Sequence, residues 1–230
     1  MEKEVVVITG AGSGLGASLA RKYSQQGYYI CLLGRTISKL EEVALTLTGG
    51  SSIYKVNVTS LSRVQEVMEA IVNEHGGIDY LVNNAGVGVF KELNELQEVE
   101  IVAMIDINLK GTVFCTQAVL SHMQAQNRGQ IINIVSASGK QAKSTESVYS
   151  ASKFGVRGFS EAVAEELTET NIKVFCAYMG NMETDLWQKS LPQESLDEFM
   201  KPDDVADLII KSTQTQSKLY VQEITILNHK

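Results

Sequence analysis

Wholly apolar runs alternate with amphipathic stretches along this chain, and short polar breaks separate them. Residues 5–8 are apolar at every position, which fits a strand buried on both faces of a parallel sheet. The run breaks at Thr9-Gly-Ala-Gly-Ser-Gly-Leu-Gly16. Leu15, Leu19 and Tyr23 then recur at helical spacing, so the glycines occupy a strand-to-helix turn. Residues 28–33 and 52–57 predict the second and third strands. Val64, Val67, Met68, Ile71 and Val72 follow at i, i+3, i+4, i+7 and i+8, the stripe of a helix packed on a core. A fourth strand is predicted over 78–82, one helix around 97–107, a second from about 110 to 126, and a fifth strand over 131–135. A long helix then runs on past Leu167, followed by a strand over 173–178 and a polar loop. The last helix opens at Pro202-Asp-Asp, where a first-turn proline beside acids marks a helix start, and residues 219–227 close the sheet. Seven strands alternating with helices, without linker, repeat or low-complexity tract, predict one domain over residues 1–230. Its class is α/β: a doubly wound, Rossmann-like, mostly parallel sheet with helices on both faces.

Composition narrows the partners. A chain of 230 residues can bury a sizeable core, and its net charge of −7 with no basic block opposes binding to nucleic acid or to an anionic membrane. Cys31, Cys115 and Cys176 are odd in number, scattered and flanked by apolar residues. They read as buried thiols of a reducing compartment, not as a disulfide or metal framework. No apolar signal region opens the chain and no run of 18 apolar residues occurs, so the expectation is a soluble, cytoplasmic protein.

Two stretches carry chemistry. Glycines in a strand-to-helix turn let backbone approach a ligand closely, and the helix start offers free N–H groups to a phosphate. The spacing here is Gly10-xxx-Gly14-x-Gly16, which differs from the usual G-x-G-x-x-G dinucleotide pattern. Beyond the second strand stands Arg35, and no acid occurs until Glu41. An NAD site places an acid near there for the ribose 2′-hydroxyl, whereas an arginine suits a 2′-phosphate; a solvated loop arginine is the competing reading. The second stretch is Tyr149-Ser-Ala-Ser-Lys153, whose ends share one helical face. An ammonium beside a phenol favours the phenolate, so the pair predicts a lowered tyrosine pKa and a group able to exchange a proton with a carbonyl oxygen. Chance supplies such a spacing in roughly every second chain of this size, so its weight depends on the rest of the sequence.

With these residues in view, the chain resembles the short-chain dehydrogenase/reductase family from Val5 to about Thr184, and more loosely through the last helix and strand. Thr9-Gly-x-x-x-Gly-x-Gly16 is similar to the family's cofactor loop, and Asn83-Asn-Ala-Gly86 to its fourth-strand signature. Asn108, Ser136, Tyr149 and Lys153 stand in the order and intervals of its catalytic set. The resemblance implies Tyr149 as general acid, Lys153 lowering its pKa and holding the nicotinamide ribose, and Ser136 orienting the carbonyl. It implies Asn108 holding a water that links Lys153 to solvent. It places the 10–16 loop, with Gly10, Ser13, Gly14, Leu15 and Gly16, around the pyrophosphate, and Asn84, Ala85 and Gly86 along the adenosine ribose. Arg35, Asn57, Val58, Gly180, Met182 and Thr184 complete the cofactor set.

Three departures stand out: Asn57 where an Asp is common, Met179-Gly180 in place of Pro-Gly, and Ser13 where many NADP enzymes carry a cation. The implied function is hydride transfer between NADP(H), rather than NAD(H), and a ketone, aldehyde or secondary alcohol. A catalytically silent NADP(H)-binding regulator or scaffold of the same fold is the alternative. The substrate should lie between the segment after Ser136 and a loop at about 181–201 holding Trp187 and Leu191, with Lys140 and Lys143 near the mouth. Apolar residues around the helices at 110–126 (Val113, Phe114, Val119, Leu120) and 150–168 (Phe154, Val156, Phe159) predict a homodimer or homotetramer.

Overall fold

The computed structural model describes residues 3–184, 198–214 and 219–228. Seven strands form one sheet: β1 (Val5–Thr9), β2 (Tyr29–Gly34), β3 (Ser51–Lys55), β4 (Tyr80–Asn83), β5 (Gly129–Ile134), β6 (Ile172–Met179) and β7 (Glu223–Ile226). Their order is β3-β2-β1-β4-β5-β6-β7, and every neighbouring pair is parallel, so the sheet is wholly parallel where the sequence predicted mostly so.

The uniformly apolar strand sequences have a simple cause. Successive side chains of a strand point to opposite faces, and here both faces are covered. Val6 and Ile8 of β1 join Ile30, Leu32, Ile132 and Phe175 in one core. The helices that supply Leu19, Leu40 and Ile209 to that core are α1 (Gly14–Gln25), α2 (Ile37–Ala44) and α7 (Pro202–Thr213). Val5 and Val7 point the other way, into a core with Val64, Met68 and Ile71 of α3 (Leu61–His75). Val119 and Met123 of α5 (Gly111–Gln126) and Val163 of α6 (Ser147–Glu166) complete that second core. Among the described residues, helix α2 is the layer element that the hydrophobic pattern did not announce.

The two helices expected at 97–107 and 110–126 form one helical run. Helix α4 (Glu98–Met104) passes through a π-helical stretch at Ile105–Lys110 and continues as α5. A π stretch inserts a residue into the helical ladder and turns the side chains beyond it, an arrangement common at functional sites. Asn108 lies in it.

Two residues expected at a subunit surface are in the interior: Val119 and Val156 are fully buried in the chain's own core, while Phe154 stays exposed. The three cysteines are buried and free, and burial pushes the Cys31 and Cys115 thiols up to about 12, which leaves them unreactive. Among the described residues no helix is long and apolar enough to cross a membrane, and no cluster of three or more His, Cys, Asp or Glu stands ready for a metal.

Candidate active site

Because β1 pairs with β2 on one side and β4 on the other, the chain runs outward in both directions from the sheet's middle, and a crevice opens beyond the carboxyl ends of the strands. Each strand from β1 to β6 delivers its following residues there. Gly10 comes from β1, Arg35 from β2, Asn57 and Val58 from β3, Asn84, Ala85 and Gly86 from β4, Ser136 from β5, and Gly180, Met182 and Thr184 from β6. With Ser13, Gly14 and Leu15 of the glycine turn, and Tyr149 and Lys153 of α6, they line one cleft of about 520 Å³. Of the residues predicted to act in catalysis or to hold the cofactor, only Gly16 and Asn108 are absent from its walls.

The glycine turn is shaped for a ligand that touches backbone. Gly10 takes φ +64°, and a Cβ there would lie 2.9 Å from the Cα of Ala85. Gly16 sits one layer beneath: its Cβ would stand 2.4 Å from the Gly10 carbonyl oxygen and 2.6 Å from Asn84 Nδ2. Thr9 and Asn84 stitch the turn to the end of β4. The Thr9 hydroxyl accepts from the N–H of Asn84 and Ala85, both at 3.0 Å, and Asn84 Nδ2 donates to the carbonyls of Thr9 (3.0 Å) and Gly10 (3.1 Å). The first-turn N–H groups of α1 have no partner within the helix and face the cleft beside Ser13, with no acid in that turn to oppose an anion. Gly16→Ala therefore drives a methyl into backbone that cannot yield without moving the turn. It should destabilise the fold by about 1–3 kcal/mol and weaken nucleotide binding with it, as read by urea melts and NADPH titration.

Beyond the turn, Arg35 and Lys39 line the same end of the cleft, both solvent-exposed. Lys39 went unread because it lies on α2, one helical turn past Arg35. Asn57 is also exposed, and its Oδ1 already accepts from the N–H of Thr59 at 3.2 Å, so it reaches a ligand with its amide N–H₂ or with the second lone pair of that oxygen.

At the opposite end, Tyr149 and Lys153 are 8% and 6% exposed. The ammonium lies 5.8 Å from the centre of the phenol ring and donates to the Ile134 carbonyl at 3.0 Å. Phe90, another residue the sequence reading missed, packs edge-on against Tyr149 with ring centres 5.4 Å apart. Burial sets the protonation of the pair. It pushes the Tyr149 phenol up to about 12, against the pull of the adjacent Ser136 hydroxyl and with a further push from the Glu146 charge. Burial also pulls Lys153 down to about 8. The lowered phenol expected from the four-residue spacing is thus not what the chain sets up by itself, because burial raises the phenol more than the Ser136 hydroxyl lowers it. At neutral pH Tyr149 holds its proton.

Ser136 adopts φ 146°, backbone that favours glycine, and its Oγ accepts from the Ser138 N–H at 3.1 Å. Such strain persists only where the surroundings over-determine it, here the packed junction of β5 and α6. Asn108 ties two elements together through its side chain. Its Oδ1 accepts from the Val87 N–H (2.8 Å), and its Nδ2 donates to the Val87 carbonyl (2.9 Å) and to Ser152 Oγ (3.0 Å). Its amide is spent fixing the exit of β4 to α6, behind the cleft wall. Lys140 is likewise occupied: it donates to Glu223 (2.7 Å) and Thr225 (3.0 Å) and covers the Tyr178 ring, so only Lys143 of the two mouth lysines lines the cleft. Trp187 and Leu191, with most of the loop expected at 181–201, lie outside the described residues.

The sequence model of the family described as short chain dehydrogenase matches residues 4–195. An uncharacterized oxidoreductase of Staphylococcus epidermidis is 31% identical over 226 residues, 98% of this chain and 97% of that protein. Among solved structures, a metagenomic short-chain oxidoreductase in complex with NADP superposes with a TM-score of 0.86 at 29% identity, over 99% of this chain and 97% of the other. An alcohol dehydrogenase from the archaeon Thermococcus sibiricus, complexed with 5-hydroxy-NADP, gives a TM-score of 0.89 at 26% identity, over 97% and 96%.

Proposed function

The chain belongs to the short-chain dehydrogenase family of oxidoreductases, and from that premise we propose that it is an NADP(H)-dependent carbonyl reductase, reversible as an alcohol dehydrogenase. The observation that carries the reading is one cleft with a glycine turn and two cations at one end and the buried Tyr149–Lys153 pair at the other. The donor set fits a dinucleotide. Free N–H groups of α1 suit a pyrophosphate, Arg35 and Lys39 suit a 2′-phosphate, and Lys153 has no carboxylate partner among the described residues, so its N–H groups suit a ribose. The nicotinamide, when bound beside Tyr149, supplies the hydride.

The chain does the rest. Tyr149 holds a proton at its phenol oxygen throughout the neutral range, which a general acid for carbonyl reduction requires. Ser136, on strained backbone beside the phenol, orients the carbonyl oxygen toward it. Lys153 brings a positive charge that stabilises the phenolate left after proton transfer. Asn108 positions: by tying Val87 to Ser152 it holds the β4 exit against the helix that bears Tyr149 and Lys153. Three buried free thiols and an acidic surface support a cytoplasmic setting, and exposed Phe154 on α6 with half-buried Phe114 on α5 supports a homodimer or homotetramer.

Cofactor choice is the test. NADPH should bind at least about tenfold more tightly than NADH, since one charge-assisted contact to the 2′-phosphate contributes roughly 1.5–3 kcal/mol. Arg35→Asp should reverse the order, because a carboxylate repels that phosphate and accepts from a ribose hydroxyl. Equal affinities of the unmodified protein for both nucleotides would overturn the NADP assignment.

A further inference from the structure

Glu146 is a carboxylate where the carbonyl-reducing machinery described above has no use for one. It is 7% exposed, stands one helical turn ahead of Tyr149 and lines the cleft with Tyr149, Ser136 and Ser138. It occupies the residue before α6, yet its side chain makes no capping hydrogen bond to that helix. It turns instead to Ser138, whose hydroxyl donates to Oε2 at 2.5 Å. The chain reaches this placement through Thr145, a β-branched residue held at φ 63°. Such a conformation persists only where the surroundings hold it, here with the Thr145 carbonyl accepting from the Lys91 N–H at 3.0 Å.

No cation answers the charge. Among the described residues Glu146 forms no ion pair: Lys143 reaches it only through a backbone turn, and Lys153 spends a hydrogen bond on Ile134. Buried carboxylates are seldom left so, because one hydroxyl does not replace the hydration given up. The charge is felt at the reacting end of the cleft, where it adds to the push that burial gives the Tyr149 phenol.

We infer that Glu146 is a cation subsite, and that the preferred substrate carries a positively charged nitrogen close to its carbonyl or hydroxyl: a small amino ketone or amino alcohol. The inference rests on the reductase reading for the place of the carbonyl, and adds the charge that accompanies it. An ammonium beside Tyr149 and Ser136 would supply the missing counter-charge, and an anion there would meet repulsion with little water to screen it. Lys143, exposed at the rim, is too well solvated to offset this.

The test is binding, not turnover. Calorimetry of the full protein, with and without NADP⁺, compares 1-amino-2-propanol, a cation at pH 7, with 1,2-propanediol, its neutral counterpart. The cation should bind at least about tenfold more tightly, the order expected for one charge-assisted contact. Glu146→Gln keeps the bond to Ser138 and removes the charge, so the preference should vanish. Ser138→Ala removes the hydroxyl and keeps the charge, so the preference should persist. Equal binding of the two probes by the unmodified protein, binding of neither, a preference that survives Glu146→Gln, or its loss in Ser138→Ala would each overturn the subsite. Failure here is separable from failure of the reductase reading. A protein that reduces carbonyls without this preference loses only the subsite, and one that shows the preference but consumes no NADPH loses only the reductase.

Discussion

Tyr149→Phe should bind NADPH with nearly unchanged affinity and turn over at least about 100-fold more slowly, the lower range for losing a positioned general acid. The substitution deletes one oxygen and leaves the ring, so the edge-on contact with Phe90 survives and the glycine turn at the far end of the cleft is untouched. The phenol is also the wrong group to be carried for stability alone. It is buried and held above its ordinary pKa, with the Ser136 hydroxyl beside it. Removing a half-satisfied buried hydroxyl costs the fold little. A variant that loses its nucleotide along with its activity would assign Tyr149 a binding role instead.

Lys153→Met should separate function from stability more sharply. Turnover and nucleotide affinity should fall together, since on the proposed reading one ammonium serves both the phenolate and the ribose. The cofactor-free variant should nevertheless melt at a higher temperature than the parent at pH 7. The sign follows from the lowered pKa: between about 8 in the folded chain and the ordinary value of 10.5, the unfolded state binds the proton that the folded state has released. Folding is therefore penalised in full below pH 8, and the penalty fades as pH rises toward 10.5. The advantage of Lys153→Met should shrink over that window. Melting curves at pH 7 and pH 10 check this, and a variant less stable than the parent at pH 7 would show that the ammonium is paired in the folded chain.

How far the sequence carried this picture depended on what each feature is made of. Residues 5–8 announced a doubly covered strand because no polar face was needed, and the glycine turn after them declared itself through residues whose backbone geometry and close contacts permit little else. Most of the cofactor-end residues followed, since they stand just past the carboxyl ends of strands, and the α6 pair followed from its four-residue spacing. What stayed hidden arises in three dimensions. Helix α2 is eight residues long with two buried side chains, too short for its period to stand out, and Lys39 was lost with it. The π stretch at Asn108 alters hydrogen bonding without altering the apolar stripe. The four-residue spacing placed Lys153 beside Tyr149 but could not show how dry that place is, so the direction of the phenol's pKa came out reversed. Glu146 gave no signal because an acid before a helix is ordinary; its burial and its turn away from the helix are what set it apart.

The most direct measurement is the loss of NADPH absorbance when the purified protein meets a panel of small ketones and aldehydes, with amino ketones included. The account predicts that at least one of them oxidises NADPH with one alcohol formed per NADPH consumed, and that Tyr149→Phe abolishes nearly all of that consumption. A protein that binds NADPH through the cleft yet oxidises it with no carbonyl compound would contradict the account and make the chain a nucleotide-binding regulator or scaffold.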